Sequence, residues 1–256
     1  MDRREAILRE LNIYPLWKRR AQSVSAEARK PIAGHPAETI TPIVSEAVPK
    51  DEAAVFRKPA KAESRLDNLN WPELKQQVTG CIACKLRAGC TQTVFGVGDE
   101  RADWLFVGEG PGADEDALGE PFVGQAGKLL DNMLAAIKLK RGKNVYVANI
   151  VKCRPPNNRT PAADEIAQCL PYLQRQIELL QPKLIVALGK VASNALLGKE
   201  ATLASLRSAQ HDYQGIPLIV TYHPAYLLRS PTEKAKAWQD LCFAVKVMAQ
   251  AVDKST

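Results

Sequence analysis

The chemistry-bearing residues of this 256-residue chain fall into a cysteine set, a glycine-rich acidic loop and a histidine followed by proline. Cys81 and Cys84 form a C-x-x-C pair, and Cys153 and Cys169 form a second, widely spaced pair. Four thiolates can hold a tetrahedral zinc ion or an iron-sulfur cluster, and spacing alone favours neither. Cys90 lies close enough in sequence to replace a ligand. Cys242 sits among the apolar residues of a C-terminal helical stretch and reads as core.

The acidic loop is Gly108-Glu109-Gly110-Pro111-Gly112-Ala113-Asp114-Glu115-Asp116, continued by Glu120-Pro121-Phe122-Val123-Gly124. A nucleotide cradle is the rival reading, and it fails. The spacing is not G-x-G-x-x-G, Pro111 removes a backbone donor, and three consecutive acids would repel a pyrophosphate. The other stretches of interest are Ala148-Asn149-Ile150-Val151-Lys152-Cys153 and His223-Pro224-Ala225-Tyr226-Leu227-Leu228-Arg229. Taken alone, an asparagine at a strand end is a turn residue, a lone histidine is structural, and Phe122 is an ordinary core aromatic.

Taken together and in this order, these motifs resemble the family 4 uracil-DNA glycosylases, the iron-sulfur branch of that superfamily, over roughly residues 70 to 250. The resemblance implies that Cys81, Cys84, Cys153 and Cys169 hold a 4Fe-4S cluster that staples DNA-contacting loops. It implies that Phe122 stacks on an everted uracil, that Asn149 reads the base edge, and that His223 donates to uracil O2 as charge develops there. Gly110, which stands where family 1 relatives carry an aspartate, lies against the substrate. Glu109 and Glu115 match the carboxylates that position the water, and Asp114 and Asp116 are expected in solvent. Leu227 aligns with the apolar wedge that fills the gap behind the flipped base, with helix packing as its alternative, and Arg229 is matched to a phosphate contact.

The function implied is monofunctional hydrolysis of the N-glycosidic bond of deoxyuridine in single- or double-stranded DNA, leaving an abasic site. The alternative is a noncatalytic iron-sulfur module that binds DNA or a replication protein. No lysine is placed for a Schiff base with lyase activity, Lys152 being the one that lies nearby. The loop Asn157-Asn158-Arg159-Thr160 lacks the basic, histidine-bearing insert of the branch that forms a covalent adduct with DNA.

These residues need a scaffold, and the apolar pattern supplies one. Trp104 to Val107, Val145 to Ala148, Leu184 to Leu188 and Pro217 to Thr221 read as strands. Helical spacing recurs over residues 125 to 138, 162 to 180 and 232 to 252. In the last of these, Trp238, Leu241, Val245 and Met248 fall on one face. Alternating strands and helices give an α/β fold, a three-layer α/β/α domain over residues 65–252 with a central, largely parallel four-stranded sheet. The loops that follow three of its strands should meet at one sheet edge. His211, in a connecting loop, is given no role.

Ahead of that domain, residues 1 to 20 read as a short amphipathic helix whose apolar face either docks on the main domain or contacts a protein partner or DNA. Residues 21 to 64, rich in Ala, Pro, Ser, Glu and Lys, read as a disordered linker. The formal charge of +7 suits an anionic partner, and 46% apolar residues suffice for a core. No window approaches the roughly 20 apolar residues that span a bilayer. The charged amino terminus lacks the apolar stretch of a secretory signal, so the thiols are expected reduced in the cytoplasm and the protein monomeric.

Overall fold

The computed structural model describes residues 66–253. The expected helix over 1–20 and linker over 21–64 lie outside them. In chain order the elements are α1 (Trp71–Thr79), α2 (Leu86–Gly89), β1 (Val97–Gly98), β2 (Trp104–Gly108), α3 (Ala113–Leu118), α4 (Gln125–Ala136) and β3 (Val145–Asn149). After them come α5 (Ala163–Leu180), β4 (Leu184–Leu188), α6 (Lys190–Leu197), α7 (Leu203–Leu206), β5 (Gln210–Tyr213), β6 (Ile216–Thr221), α8 (Pro224–Arg229) and α9 (Lys234–Asp253).

The sheet has six strands in the order β1-β3-β2-β4-β6-β5, not four. The inner four are parallel, as their continuous apolar runs require, and every residue of β2, β3 and β4 is buried. The two added strands pair antiparallel at the edges. β1 is two residues long. β5, Gln-His-Asp-Tyr, has the polar composition of an edge and is paired to β6 through a two-residue hairpin at Gln214 and Gly215, with φ of 53° and 89°. His211 is therefore a strand residue, and its Nε2 lies 2.7 Å from the carbonyl oxygen of Leu206.

Helices cover both faces. Leu105, Val107, Ala148, Ile185 and Val220 pack with Leu173 and Ile177 of α5 and Ala192 and Ala195 of α6. Phe106, Val147, Val186 and Ile219 pack with Leu130 and Leu134 of α4 and Leu241, Ala244 and Val247 of α9. The buried face of α9 differs from expectation: Trp238 and Val245 point outward, at 47% and 40% exposure, while Ala237 and Ala244 are buried. Small alanines let the helix lie close to the sheet, which turns the larger side chains away. Cys242 is half-buried rather than core.

Because the inner strands run parallel, their carboxyl ends share one edge. Gly108 and Asn149 are register partners there, as are Leu188 and Thr221.

Candidate active site

The acidic loop is folded by one of its own carboxylates. Glu115, in the first turn of α3, accepts from Gly112 N–H at 3.0 Å through Oε2, and from Val123 and Gly124 N–H at 2.9 and 3.1 Å through Oε1. Both oxygens are thus engaged by backbone, and the two ends of the loop are tied together. Asp114 is exposed as expected, but Asp116 is not solvated. It is 4% exposed and accepts from the N–H of Thr91 at 2.9 and 3.1 Å.

Phe122 leaves this loop with φ of 56°, a left-handed conformation that costs a bulky residue about 1–3 kcal/mol. Neighbours hold it there. Arg141 donates to the carbonyls of Pro121 and Phe122 at 2.7 and 2.8 Å, and Gly127 of α4 approaches the Phe122 carbonyl so closely that any Cβ would collide with it. The ring is buried and stacks against His223, with centroids 5.5 Å apart and planes at 30°.

Asn149 ends β3 and is 2% exposed, yet its Oδ1 has no hydrogen-bond partner. A buried, unsatisfied acceptor costs about 1–3 kcal/mol, a cost that a donor entering from outside the protein would relieve. Gly108 is where the parts converge, because a Cβ there would strike both Asn149 Oδ1 and the Phe122 ring.

His223 caps α8, its Nδ1 accepting from Ala225 N–H at 3.2 Å. That bond leaves the proton of the neutral ring on Nε2. Burial, aided by the nearby Arg229 charge and opposed by Glu115, pulls the imidazole down to about 4. The ring is therefore a neutral donor at physiological pH. Glu109 behaves oppositely: desolvation raises its carboxyl above the ordinary value, against a hydrogen bond with Thr160. Arg159 forks onto Glu165 at 2.8 and 2.6 Å, fixing the loop from which Thr160 reaches Glu109.

Glu109, Gly110, Glu115, Phe122, Asn149, Thr160, His223 and Arg229 all line one cleft of about 840 Å³. Leu227 is absent from that lining: it is 1% exposed and packed into the core by α8, which agrees with its helix-packing alternative rather than with a wedge, while its neighbours Tyr226 and Leu228 are 39% and 43% exposed. Arg141, Thr160 and Tyr226 were not singled out from sequence. Arg141 and Thr160 act on residues distant or loop-separated from them, and Tyr226 stood beside a leucine that carried the motif. Lys152 does not face the cleft. It is 1% exposed, and its Nζ donates to Asn149 O at 3.0 Å and Gln176 Oε1 at 2.6 Å.

On the far side of Lys152, Cys81, Cys84, Cys153 and Cys169 line a second, smaller pocket. Among the described residues, no three His, Cys, Asp or Glu side chains are arranged to hold a single metal ion. The donor set is nevertheless all sulfur, as a cluster needs. Burial raises Cys169 to about 11 and Cys153 further, and each is raised again by its neighbouring thiols. The main-chain N–H of Lys152 donates to Cys169 Sγ at 3.2 Å, and the buried Nζ charge faces that same sulfur. An N–H bond and a buried cation stabilise thiolate, the form that ligates. Cys90 lies outside this pocket lining but hydrogen-bonds with Cys153.

Among the described residues, no helix is long and apolar enough to cross a membrane. Residues 95–242 match the Uracil DNA glycosylase superfamily. A type-4 uracil-DNA glycosylase of Archaeoglobus fulgidus is 41% identical over 167 residues, covering 62% of this chain and 83% of the relative. One of Thermotoga maritima is 42% identical over 165 residues, with coverage of 64% and 85%. One of Pyrobaculum aerophilum is 41% identical over 179 residues, with coverage of 66% and 90%.

Proposed function

Because the chain belongs to the uracil-DNA glycosylase superfamily and to its type-4 branch, we propose that it excises uracil from DNA by hydrolysing the N-glycosidic bond. The observation that carries this reading is the convergence of the Phe122 ring, the unpartnered Asn149 Oδ1 and the neutral His223 on one cleft. A planar pyrimidine is the ligand that suits a stacking face, an amide and a ring donor together.

An everted uracil would lie on Phe122 and donate its N3–H to Asn149 Oδ1, while the amide nitrogen donates to O4. Cytosine reverses both edges, with a bare N3 acceptor and an N4 donor. A buried site built for one pattern rejects the other because its polar atoms are left unpaired. As the C1′–N1 bond breaks, its electron pair moves onto the base, and His223 Nε2–H donates to O2 where that charge collects. No proton need leave the ring. Water adds to the cationic C1′ and loses a proton, for which Glu109 is the available carboxylate, since Glu115 is occupied by three backbone N–H groups. Lys152, enclosed behind Asn149, has no path to the sugar for a Schiff base, which supports monofunctional turnover.

Cys81, Cys84, Cys153 and Cys169 would hold a 4Fe-4S cluster. Its contribution is cohesion, tying the segment after α1 to α5 and to the loop after β3, since base excision transfers no electrons. Arg229, exposed at the cleft, suits a phosphate contact.

The test is cleavage of single- and double-stranded uracil oligonucleotides, followed by alkali to break abasic sites. Scission by the parent protein, and its strong loss in His223→Ala and Asn149→Ala, is expected. Tight DNA binding with no scission by the parent would favour the noncatalytic module instead.

A further inference from the structure

We propose that the outer face of Tyr226 is a stacking platform for the base that neighbours the everted one, a subsite that deepens the reading above and rests on it. The platform is the last rung of a ladder that begins in the core. Asp240, 2% exposed, accepts from Arg207 Nε and Nη2 at 2.7 and 2.9 Å and from Thr221 Oγ1 at 2.8 Å. The Arg207 guanidinium lies 4.4 Å from the centroid of the Tyr222 ring, and its Nη1 donates to Tyr222 Oη at 3.3 Å. Tyr222 in turn stacks on Tyr226, with centroids 5.2 Å apart and planes at 14°.

The Tyr222 ring is covered by Arg207 on one side and by Tyr226 on the other. Among the described residues no other ring contacts Tyr226, which is 39% exposed and lines the same cleft as Phe122 and His223. It stands one helical turn after His223 on α8, so it is at the mouth while Phe122 is buried within. The base that leaves the strand goes to Phe122. The base beside it stays outside and meets Tyr226. Because the ladder is anchored by a buried ion pair, the ring is held before DNA arrives and loses little side-chain freedom on binding. Any nucleobase has a π-face, so the subsite would accept all four and would favour single-stranded or locally unstacked DNA, whose bases are free to stack on protein.

The experiment measures equilibrium binding to a single-stranded oligonucleotide carrying 2′-fluorodeoxyuridine, whose fluorine disfavours the cationic sugar and so prevents cutting. Oligonucleotides with an abasic spacer on the 5′ or the 3′ side of that residue are compared with the intact one. Tyr226→Ala should bind the intact strand about tenfold more weakly than the parent and should match the parent when the stacked neighbour is the spacer. Tyr226→Trp should keep the affinity, and Tyr226→Leu should lose it. Equal loss on all three strands, or no loss on any, would overturn the proposal. A further strand carries 2′-fluorothymidine in place of the 2′-fluorodeoxyuridine; equal binding of both by the parent would overturn the glycosylase reading, while the dependence on the neighbour would still report stacking.

Discussion

Lys152 Nζ donates to the main-chain carbonyl of Asn149 at 3.0 Å, and the same residue's N–H donates to Cys169 Sγ at 3.2 Å. One buried residue, through its main-chain N–H on one side and its amine on the other, thus connects the sulfur pocket to the strand end that presents the Asn149 amide. Burial pulls the amine down to about 8, with the Cys169 charge opposing, so the cation is kept by what surrounds it. Lys152→Met preserves the apolar stem but leaves the Asn149 carbonyl and Gln176 Oε1 without a donor. The expected cost is about 2–4 kcal/mol in denaturant unfolding, with a raised KM for uracil DNA and a weakened visible absorption from bound iron and sulfide. Unchanged stability and KM would mean that the bridge is incidental.

Gly108 offers a substitution that removes no functional group. A methyl at this position collides with Asn149 Oδ1 and with the Phe122 ring, both backed by packed core. Gly108→Ala should cost about 1–3 kcal/mol from overpacking and reduce uracil excision by at least tenfold, while leaving affinity for uracil-free DNA near the parent value. Excision at the parent rate would show that Asn149 and Phe122 need not sit where they do.

The strands and the loops of the site were legible in sequence because continuous apolar runs admit one reading: inner, parallel strands with chemistry at their carboxyl ends. What could not be read was orientation. Leu227 and Leu228 are adjacent and identical in type, and only the docking of α8 decides that the first is buried and the second exposed. The same holds for Trp238, turned outward by the alanines of α9. Asp116 reads as one acid in a row of three, and its burial depends on Thr91, far back along the chain. β5 is not legible in sequence because a polar edge strand has the composition of a loop, and the left-handed Gln214 in the turn to β6 is not a usual turn signal.

Five cysteines lie in or beside the second pocket, and its lining includes four of them but not the fifth. Cys81, Cys84, Cys153 and Cys169 share a pocket lining, whereas Cys90 contacts Cys153 and the carbonyl and guanidinium of Arg87 from beside it. Serine at any of the four should reduce iron content below one third of the parent protein and lower the unfolding midpoint, as the metal's binding energy is lost to folding. Cys90→Ser should retain the iron content and unfolding midpoint of the parent, because it removes no ligand. Iron lost in Cys90→Ser and kept in one of the four would exchange their roles.

The pH dependence of excision isolates Glu109. His223, held down to about 4, stays neutral across the range in which the enzyme would be assayed and contributes no limb there. Glu109 is raised by desolvation, so it takes up its proton at a pH above that of an ordinary carboxylate, and excision should decline on acidification through that raised value. Glu109→Gln should lower kcat by about 10²–10⁴ and abolish the acid limb together. The linkage to folding has the opposite sign. A raised folded pKa means the native state holds the proton more tightly than the unfolded chain, so its stabilising contribution is present at low pH and is lost as pH rises through the folded value. At neutral pH the glutamine variant should therefore unfold at a higher temperature than the parent, the exchange of stability for activity expected where a site keeps a carboxylate partly out of water. An acid limb that survives in Glu109→Gln would assign the titrating base to another group.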